Sequence, residues 1–510
     1  MTEKTFYITT PIYYVNDKPH IGHAYTCIAA DVLARYHRLK GENVFFLTGS
    51  DENSQKNIVA AEKAGYTDMD QYLGIQAAIW QQAWDGLNIS NNDFIRTTEE
   101  RHKKGVYKFF DLVNEKGDIY KGVYKGFYCN GCEAFVTQSD LMEGNLCPIH
   151  KKPVETIEEE NYFFAASKYR NAVLDHIEKN PDFIQPASRR NEVVNYIKDH
   201  FVDVSISRHF KTAKCGIPLP IDTEQAIYVW FDALINYLTG LGYGSEGEDF
   251  ETFWPANIQL VGKDIIKFHC ALWPAMLMAA GLPLPKKIFA HGFFTINGDK
   301  ISKSLGNAID PVELSMTYGV DAIRYFLLRE IRFGEDGDFS FERLKERYES
   351  DLAKGIGNFA SRVLTLAAKV PAKDLEDTDA LDDEDAQAMI ETAWSTYNTA
   401  LDNCGLEEAL RVVWECISWG DKYIEQHKPW ELVKEDPSHF ANTMVLLVEV
   451  LRHISVMIYP FMPETAEKLW RQLDIEALER AQEGQKLIEW QPGTVSRPSK
   501  GDSLFPPLIS

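Results

Sequence analysis

The spacing of apolar positions predicts alternating strands and helices over the first half of the chain and helices over much of the second. The runs TFYITTP (5–11) and NVFFLTGSDE (43–52) are short, apolar and bounded by polar or glycine-containing ends, as strands buried on both faces are. Between them HAYTCIAADVLARYHRLKG (23–41) carries apolar residues at helical spacing and stops at Gly41. Strand, helix and strand in this order make a βαβ unit, the building block of a doubly wound parallel sheet. The signal returns with NIQLVGKD (257–264) as strand then turn, IIKFHCALWPAML (265–277) as helix and KIFAHGFFTI (287–296) as a further strand. Between these halves the chain is rich in turns and holds paired cysteines, so it reads as an insertion into the sheet domain.

Past residue 307 the pattern turns helical. Asp310-Pro311 is an N-cap with proline at the first helical position, and from about 352 to 475 helical periodicity predicts a bundle. The acidic run KDLEDTDALDDED (373–385) reads as a solvated loop and helix start, and QPGTVSRPSKGDSLFPPLIS (491–510) as an extended tail packed on the rest. The expected division is 1–115 and 226–297 as two halves of a Rossmann-like α/β sheet domain, 116–225 as the insertion, 298–350 as the KISKS loop and a contact region after it, 351–490 as the bundle and 491–510 as the tail.

Composition narrows the class. A chain of 510 residues is too long for one core, and 45% hydrophobic with 25% charged residues is ordinary for a globular protein. No apolar run of about 18 residues predicts a membrane span, and the N-terminus lacks the basic-then-apolar order of a secretory signal. Most of the eight cysteines follow no framework spacing, which points to a reducing compartment, the cytoplasm. A formal net charge of −23 argues against non-specific coating of nucleic acid but leaves room for a local basic face.

Two short stretches carry candidate phosphate chemistry. PHIGH (19–23) falls between the first strand and its helix, where open α/β sheets bind ligands and where a helix N-terminus offers unpaired N–H groups. Gly22 there removes a side chain where something flat or bulky must come close, and His20 and His23 can donate to phosphate oxygens. GDKISKSLG (298–306) sets Lys300 and Lys303 just past Asn297-Gly298, a strong hairpin-turn signal, with glycines at 298 and 306 leaving the loop able to move. A solvated hairpin is the plain alternative for the lysines, and an ordinary surface helix start for the histidines. A third stretch pairs Cys129-x-x-Cys132 with Cys147-x-x-His150 across fourteen residues, which suits a closed tetrahedral structural zinc site better than disulfides.

HIGH with KISKS resembles the two signatures of the class I aminoacyl-tRNA synthetases, the second usually KMSKS; Ile301 keeps an apolar anchor in place of methionine. TPIYYVNDKPHIGH, YVWFDALINY (228–237), GKDIIKFHCALWP (262–274), NFASR (358–362) and KPW (428–430) narrow the resemblance to the methionyl-tRNA synthetase family, over nearly the whole chain. The resemblance implies a methionine–tRNA ligase that uses ATP with Mg2+ to make methionyl-adenylate and then charges tRNA(Met). It implies His20, Gly22, His23, Asp264, Lys300 and Lys303 at the nucleotide, with His20, His23, Lys300 and Lys303 as the catalytic set. It implies Asp51 on the methionine ammonium, and Ile12, Tyr14, Trp230, Leu234, Tyr237, Phe268, His269 and Trp273 lining the side-chain pocket. Trp230, Leu234 and Tyr237 share one face at helical spacing, and an aromatic pocket suits a thioether. Arg208 matches a family arginine near the site on a weaker local match. Asn358, Arg362 and Trp430 are the implied anticodon readers, one structural zinc is implied at the cysteine knuckle, and the chain is expected to be a monomer. The family often has proline where Leu234 stands and alanine at Pro11, so the pocket's shape shifts slightly. The alternatives are a class I enzyme for leucine, valine or cysteine, and a non-catalytic tRNA-binding paralogue. Editing enzymes carry a larger insertion, a cysteine enzyme would be expected to place zinc among its pocket residues, and the intact histidines and lysines speak against a paralogue.

Overall fold

The structure, a computed structural model, describes residues 4–508 apart from 130, 132–133, 137–140, 214, 297, 302–307, 372–373, 375–383, 476–487, 494 and 496–497, with backbone only at 124–125, 134–135, 157, 212 and 299–300. Cys132, Asn297, Lys303 and most of the acidic run thus lie outside the described residues, and Lys300 is described through its backbone alone.

Strand β1 (Thr5–Tyr14) leads through helix α1 (Ile21–Leu39) to β2 (Asn43–Asp51), and β3 (Asp93–Arg96) follows at one edge. The sheet is completed by β4 (Ile184–Gln185), which comes before helix α2 (Val229–Thr239), and then by β5 (Ile258–Gly262) and β6 (Ile288–His291). The order is β3-β2-β1-β5-β6-β4, and every neighbouring pair is parallel. The chain builds outward from β1 through β2 and β3 on one side, then crosses to the other side, first at the β4 edge and then at β5 beside β1, so the crevice between the carboxyl ends of β1 and β5 is the topological switch point. A doubly wound sheet is therefore observed as expected.

Three expectations need correction. The run 287–296 is not one strand: Ile288–His291 belongs to the main sheet, whereas β7 (Phe294–Ile296) starts a separate three-stranded sheet. The break sits at Gly292, where an added Cβ would lie 2.3 Å from the Glu335 carbonyl oxygen, and Phe293 sends its N–H to Asp336 at 2.8 Å instead of along the main sheet. Second, β4 lies inside the stretch assigned to the insertion yet closes the edge of the main sheet. Elsewhere in that stretch an antiparallel pair, Ile119–Cys129 with Glu155–Phe164, stands outside the main sheet. Third, Pro437–Ile458 is long and apolar enough to cross a membrane, but 94% of its most apolar window is buried inside the protein. It is the central helix of the bundle.

Asp310 caps its helix as expected, accepting from Val312 N–H at 2.9 Å. One contiguous core runs from the α1 face of the sheet through residues 322–328 into the bundle, and a second fills the opposite face around Phe109, Phe231 and Trp273. The expected boundary near residue 350 is therefore a packed junction.

Candidate functional site

The carboxyl end of β1 is bent by a bulge. Thr9 pairs with Leu47 but Ile12 with Gly49, so Thr10 and Pro11 together face one residue of β2. Pro11 cannot donate to the ladder, and the extra residue reverses the alternation, re-aiming Ile12 and Tyr14. Tyr14 then stands beside Asp51 in register, and Asp51 is buried at 5% exposure. Lys56 lies 4.5 Å over the Tyr14 ring. Gly49 is required here, because a Cβ would meet the Ile95 carbonyl oxygen at 2.1 Å and Ile12 Cγ2 at 3.0 Å.

His20 is the N-cap of α1. Its Nδ1 accepts from Gly22 N–H at 3.1 Å, and His23 Nδ1 accepts from His20 N–H at 3.2 Å. The two rings stack with centroids 3.8 Å apart. A backbone N–H can only donate, so Nδ1 is the bare nitrogen in both neutral rings and Nε2 carries the hydrogen, the donor a phosphate oxygen needs. A Cβ at Gly22 would lie 2.9 Å from His20 Cε1, so the glycine makes room for the flat capping imidazole. Ile21 N–H donates to the Ile309 carbonyl at 3.0 Å, which ties this helix start to the chain just past the lysine stretch.

The aromatic wall comes from two elements. On α2, Leu234 and Tyr237 are buried, while Trp230 stacks on Phe268 with centroids 3.8 Å apart and planes 3° from parallel. After β5 the chain makes a wide π-helical turn, Phe268–Leu272. Pro274 lacks the N–H that a regular turn would use, and Trp273 N–H reaches back to the Phe268 carbonyl. This turn brings His269 against Tyr237, hydroxyl to Nε2 at 2.7 Å. His269 Nδ1 faces the Ile265 carbonyl at 3.0 Å, so Nδ1 carries the hydrogen and the tyrosine hydroxyl donates to Nε2. Burial lowers the His269 pKa to about 4, so the ring is neutral. Trp273, 6.1 Å from the Tyr237 ring, is fully buried core behind the wall. Asp264 is exposed on the turn after β5, with its carboxylate 2.8 Å from where a Cβ of Gly262 would be. Arg208 sits at the base of the insertion, donating to Ser205 Oγ at 2.7 Å, with its guanidinium 4.5 Å from the Tyr228 ring.

Several supporting residues had escaped the sequence reading. Asp232 on α2 is fully buried and accepts from Asn53 at 2.8 Å, which links the aromatic helix to the loop after Asp51. Burial pushes the Asp232 carboxyl well above the ordinary carboxylate range. Glu52 is buried beneath that loop, bound by Arg96 Nε at 2.7 Å. Their place in YVWFDAL and SDEN beside recognised residues is the signal that could have found them.

In the knuckle, His150 Nδ1 lies 3.9 Å from Cys129 Sγ and 4.0 Å from Cys147 Sγ, and the three donors cluster within 4.8 Å. Tetrahedral zinc sets sulfur and nitrogen ligands about 3.6 Å apart, so these residues fit a zinc ion with little adjustment. In the bundle, Asn358 is exposed and opens the helix Asn358–Ala367. Arg362, one turn on, pairs with Asp421 at 2.9 Å. Trp430 is 47% exposed, in the short helix Pro429–Glu435. A ladder the sequence reading did not single out leads toward it: Trp419 stacks on Tyr423 at 5.0 Å and Tyr423 on His427 at 4.1 Å.

Comparison with known proteins fits this geometry. The family model for class I tRNA synthetases (M) matches residues 6–156 and 138–364, and that for the anticodon binding domain of methionyl tRNA ligase matches 376–498. A methionine–tRNA ligase of Caldanaerobacter subterraneus subsp. tengcongensis is 46% identical over 99% of this chain and 79% of its own length. One from Streptomyces coelicolor is 43% identical over 99% of this chain and 97% of its own. The Mycobacterium tuberculosis methionyl-tRNA synthetase solved with methionyl-adenylate superposes with a TM-score of 0.92 at 38% identity, covering 99% of this chain and all of that one.

Proposed function

Since the chain belongs to the class I methionyl-tRNA synthetases, we propose a role for each group gathered at the carboxyl ends of β1, β2 and β5. The chain is a methionine–tRNA ligase: it activates L-methionine with ATP to methionyl-adenylate, releasing pyrophosphate, and passes the methionyl group to tRNA(Met) for protein synthesis.

The observation that carries the residue assignments is the convergence of a buried carboxylate, a histidine-capped helix start and an aromatic wall at one switch point. Asp51, beside Tyr14, binds the methionine ammonium. Ile12, Tyr14, Trp230, Leu234, Tyr237, Phe268 and His269 surround the thioether, with Trp273 as backing. Trp230, Phe268 and Tyr237 offer ring faces and edges to sulfur, at about 0.3–1.5 kcal/mol per contact. A neutral His269, held by Tyr237 and Ile265, keeps positive charge away from an uncharged side chain. Asp264 faces the ribose. His20 and His23 donate from Nε2 to the phosphates, with Gly22 keeping the His20 ring in place, and Lys300 and Lys303 meet the charge that grows on the bridging oxygen as the methionine carboxylate attacks the α-phosphate. Donors of this kind are worth about 2.7–4 kcal/mol each in other enzymes. Mg2+ accompanies the ATP.

Asn358 and Arg362 reach bases of the CAU anticodon, and Trp430 stacks on one. Cys129, Cys132, Cys147 and His150 hold one structural zinc that cross-links the insertion. The enzyme works as a cytoplasmic monomer, to be checked by cell fractionation and light scattering. The deciding assay is ATP–pyrophosphate exchange with each of the twenty amino acids. Exchange with methionine is the expected result, and exchange with another amino acid in its place would overturn the specificity.

A further inference from the structure

The hairpin that carries Lys300 is held from one side by a segment about forty residues further along. Helix α3 (Val320–Arg329) leads to a strap whose strand, β9 (Gly337–Asp338), lies parallel to β7, while β8 (Asp299–Lys300) is the antiparallel arm on the other side. Thr295 pairs with Lys300 and Ile296 with Asp299, and Gly298, between the arms, takes the positive φ of 80° that a tight hairpin turn needs.

The strap holds this hairpin by its backbone and by two carboxylates. Gly337 N–H donates to the Phe293 carbonyl at 3.0 Å and Phe339 N–H to the Thr295 carbonyl at 2.8 Å. Asp336 accepts from Phe293 N–H at 2.8 Å and pairs with Lys263 at the end of β5. Asp338 Oδ1 accepts two hydrogens, from the Thr295 hydroxyl at 2.7 Å and from the turn's own Gly298 N–H at 3.1 Å. The fit is close: a Cβ at Gly337 would lie 2.1 Å from Ile331 Cδ1.

We infer that Asp338 is a positioning residue for methionine activation, fixing the turn at Gly298 so that the cationic strand after it enters the nucleotide crevice in one orientation. The acceptor bonds to Thr295 and Gly298 set that orientation, and Asp336 registers the hairpin against the end of β5. This inference rests on the proposed role of Lys300 and Lys303. Asp338 acts through the turn it holds, so its effect is on the rate of adenylate formation and leaves methionine recognition alone.

The test compares Asp338→Ala, Asp338→Asn and Thr295→Val with Lys303→Ala in ATP–pyrophosphate exchange, alongside methionine binding by the unreacted enzyme. Asp338→Ala should lower kcat for exchange by about tenfold or more, equivalent to about 1.4 kcal/mol. Methionine affinity should stay within about twofold, as expected for a group that acts only in the transition state. Asp338→Asn keeps an oxygen that accepts the same two hydrogens, so it should restore most of the rate. Thr295→Val, which removes one donor and leaves the carboxylate intact, should fall between, and it carries the test if Asp338→Ala does not fold. Normal exchange in Asp338→Ala or in Thr295→Val would overturn the inference, as would Asp338→Asn failing as badly as alanine, because charge and not position would then be acting. Normal exchange in Lys303→Ala would instead sink the proposed role of the lysines.

Discussion

Arg324→Met tests the junction between the nucleotide half and the bundle. Arg324 on α3 has no solvent exposure. Its Nη2 donates to Asp31 Oδ2 at 2.6 Å and to the Pro460 carbonyl at 2.9 Å, its Nε to the Phe461 carbonyl at 2.8 Å and its Nη1 to the Leu87 carbonyl at 3.2 Å. One guanidinium thus joins α1, the chain after the 69–86 helix and the end of the central bundle helix. Asp31 is equally buried; burial alone would raise its pKa, but Arg324, Arg35 and the Ser90 hydrogen bonds outweigh that and hold it near 2. Methionine fills the volume but supplies no donor. Breaking a buried pair from one side costs about 3–5 kcal/mol. Arg35 at 2.8 Å and Ser90 N–H at 2.7 Å still hold Asp31, so the lower end, about 3 kcal/mol, is expected. The assay is urea unfolding of the wild type, Arg324→Met, Asp31→Asn and the double variant. Removing both partners should cost less than the two single losses together, by about 2–3 kcal/mol of coupling. Because Arg324 ties the nucleotide half to the bundle through the Pro460 and Phe461 carbonyls, tRNA charging should fall more than methionine-dependent exchange. A loss below about 1 kcal/mol, or strict additivity, would show that this buried pair does not hold the junction.

Tyr237→Phe leaves the buried Nε2 of His269 without its donor, so stability should drop by about 1–3 kcal/mol and methionine binding should weaken; an unchanged urea midpoint with unchanged affinity counts against the assigned tautomer. Burial lowers the pKa of His269 to about 4 and of His102 to about 3. The folded state therefore binds fewer protons than the unfolded chain, and the stability these groups contribute is complete above an ordinary histidine pKa near 6.5 and is lost as pH falls from there toward 4 and 3. By pH 5 the loss is about 2 kcal/mol apiece, so a flat unfolding free energy between pH 7 and pH 5 would contradict it. Trp430→Ala should cut tRNA charging by removing a stacking surface worth about 1–3 kcal/mol, while exchange without tRNA proceeds at the normal rate; equal loss in both assays would remove Trp430 from the anticodon surface.

What the sequence determined by itself is local in origin. Apolar spacing identified β1, α1, β2 and β5 and the helical second half, and local turn and cap residues identified the Asp310-Pro311 cap and the turn glycine Gly298, because these depend on residues within a few positions of one another. The nucleotide, methionine and anticodon candidates were recognisable because short motifs carry them. Only the tertiary structure decided the rest. Thr10 and Pro11 form a bulge because of their pairing with β2, and Gly22 serves an imidazole two residues away. The run 287–296 divides because Glu335 and Asp336 come up against Gly292 and Phe293. Ile184–Gln185 joins the main sheet, and Arg324 meets Asp31, across separations of more than a hundred and nearly three hundred residues. Contacts between partners so far apart leave no period in the chain; they follow from packing and from the need of each buried polar group to find a partner once the core has closed.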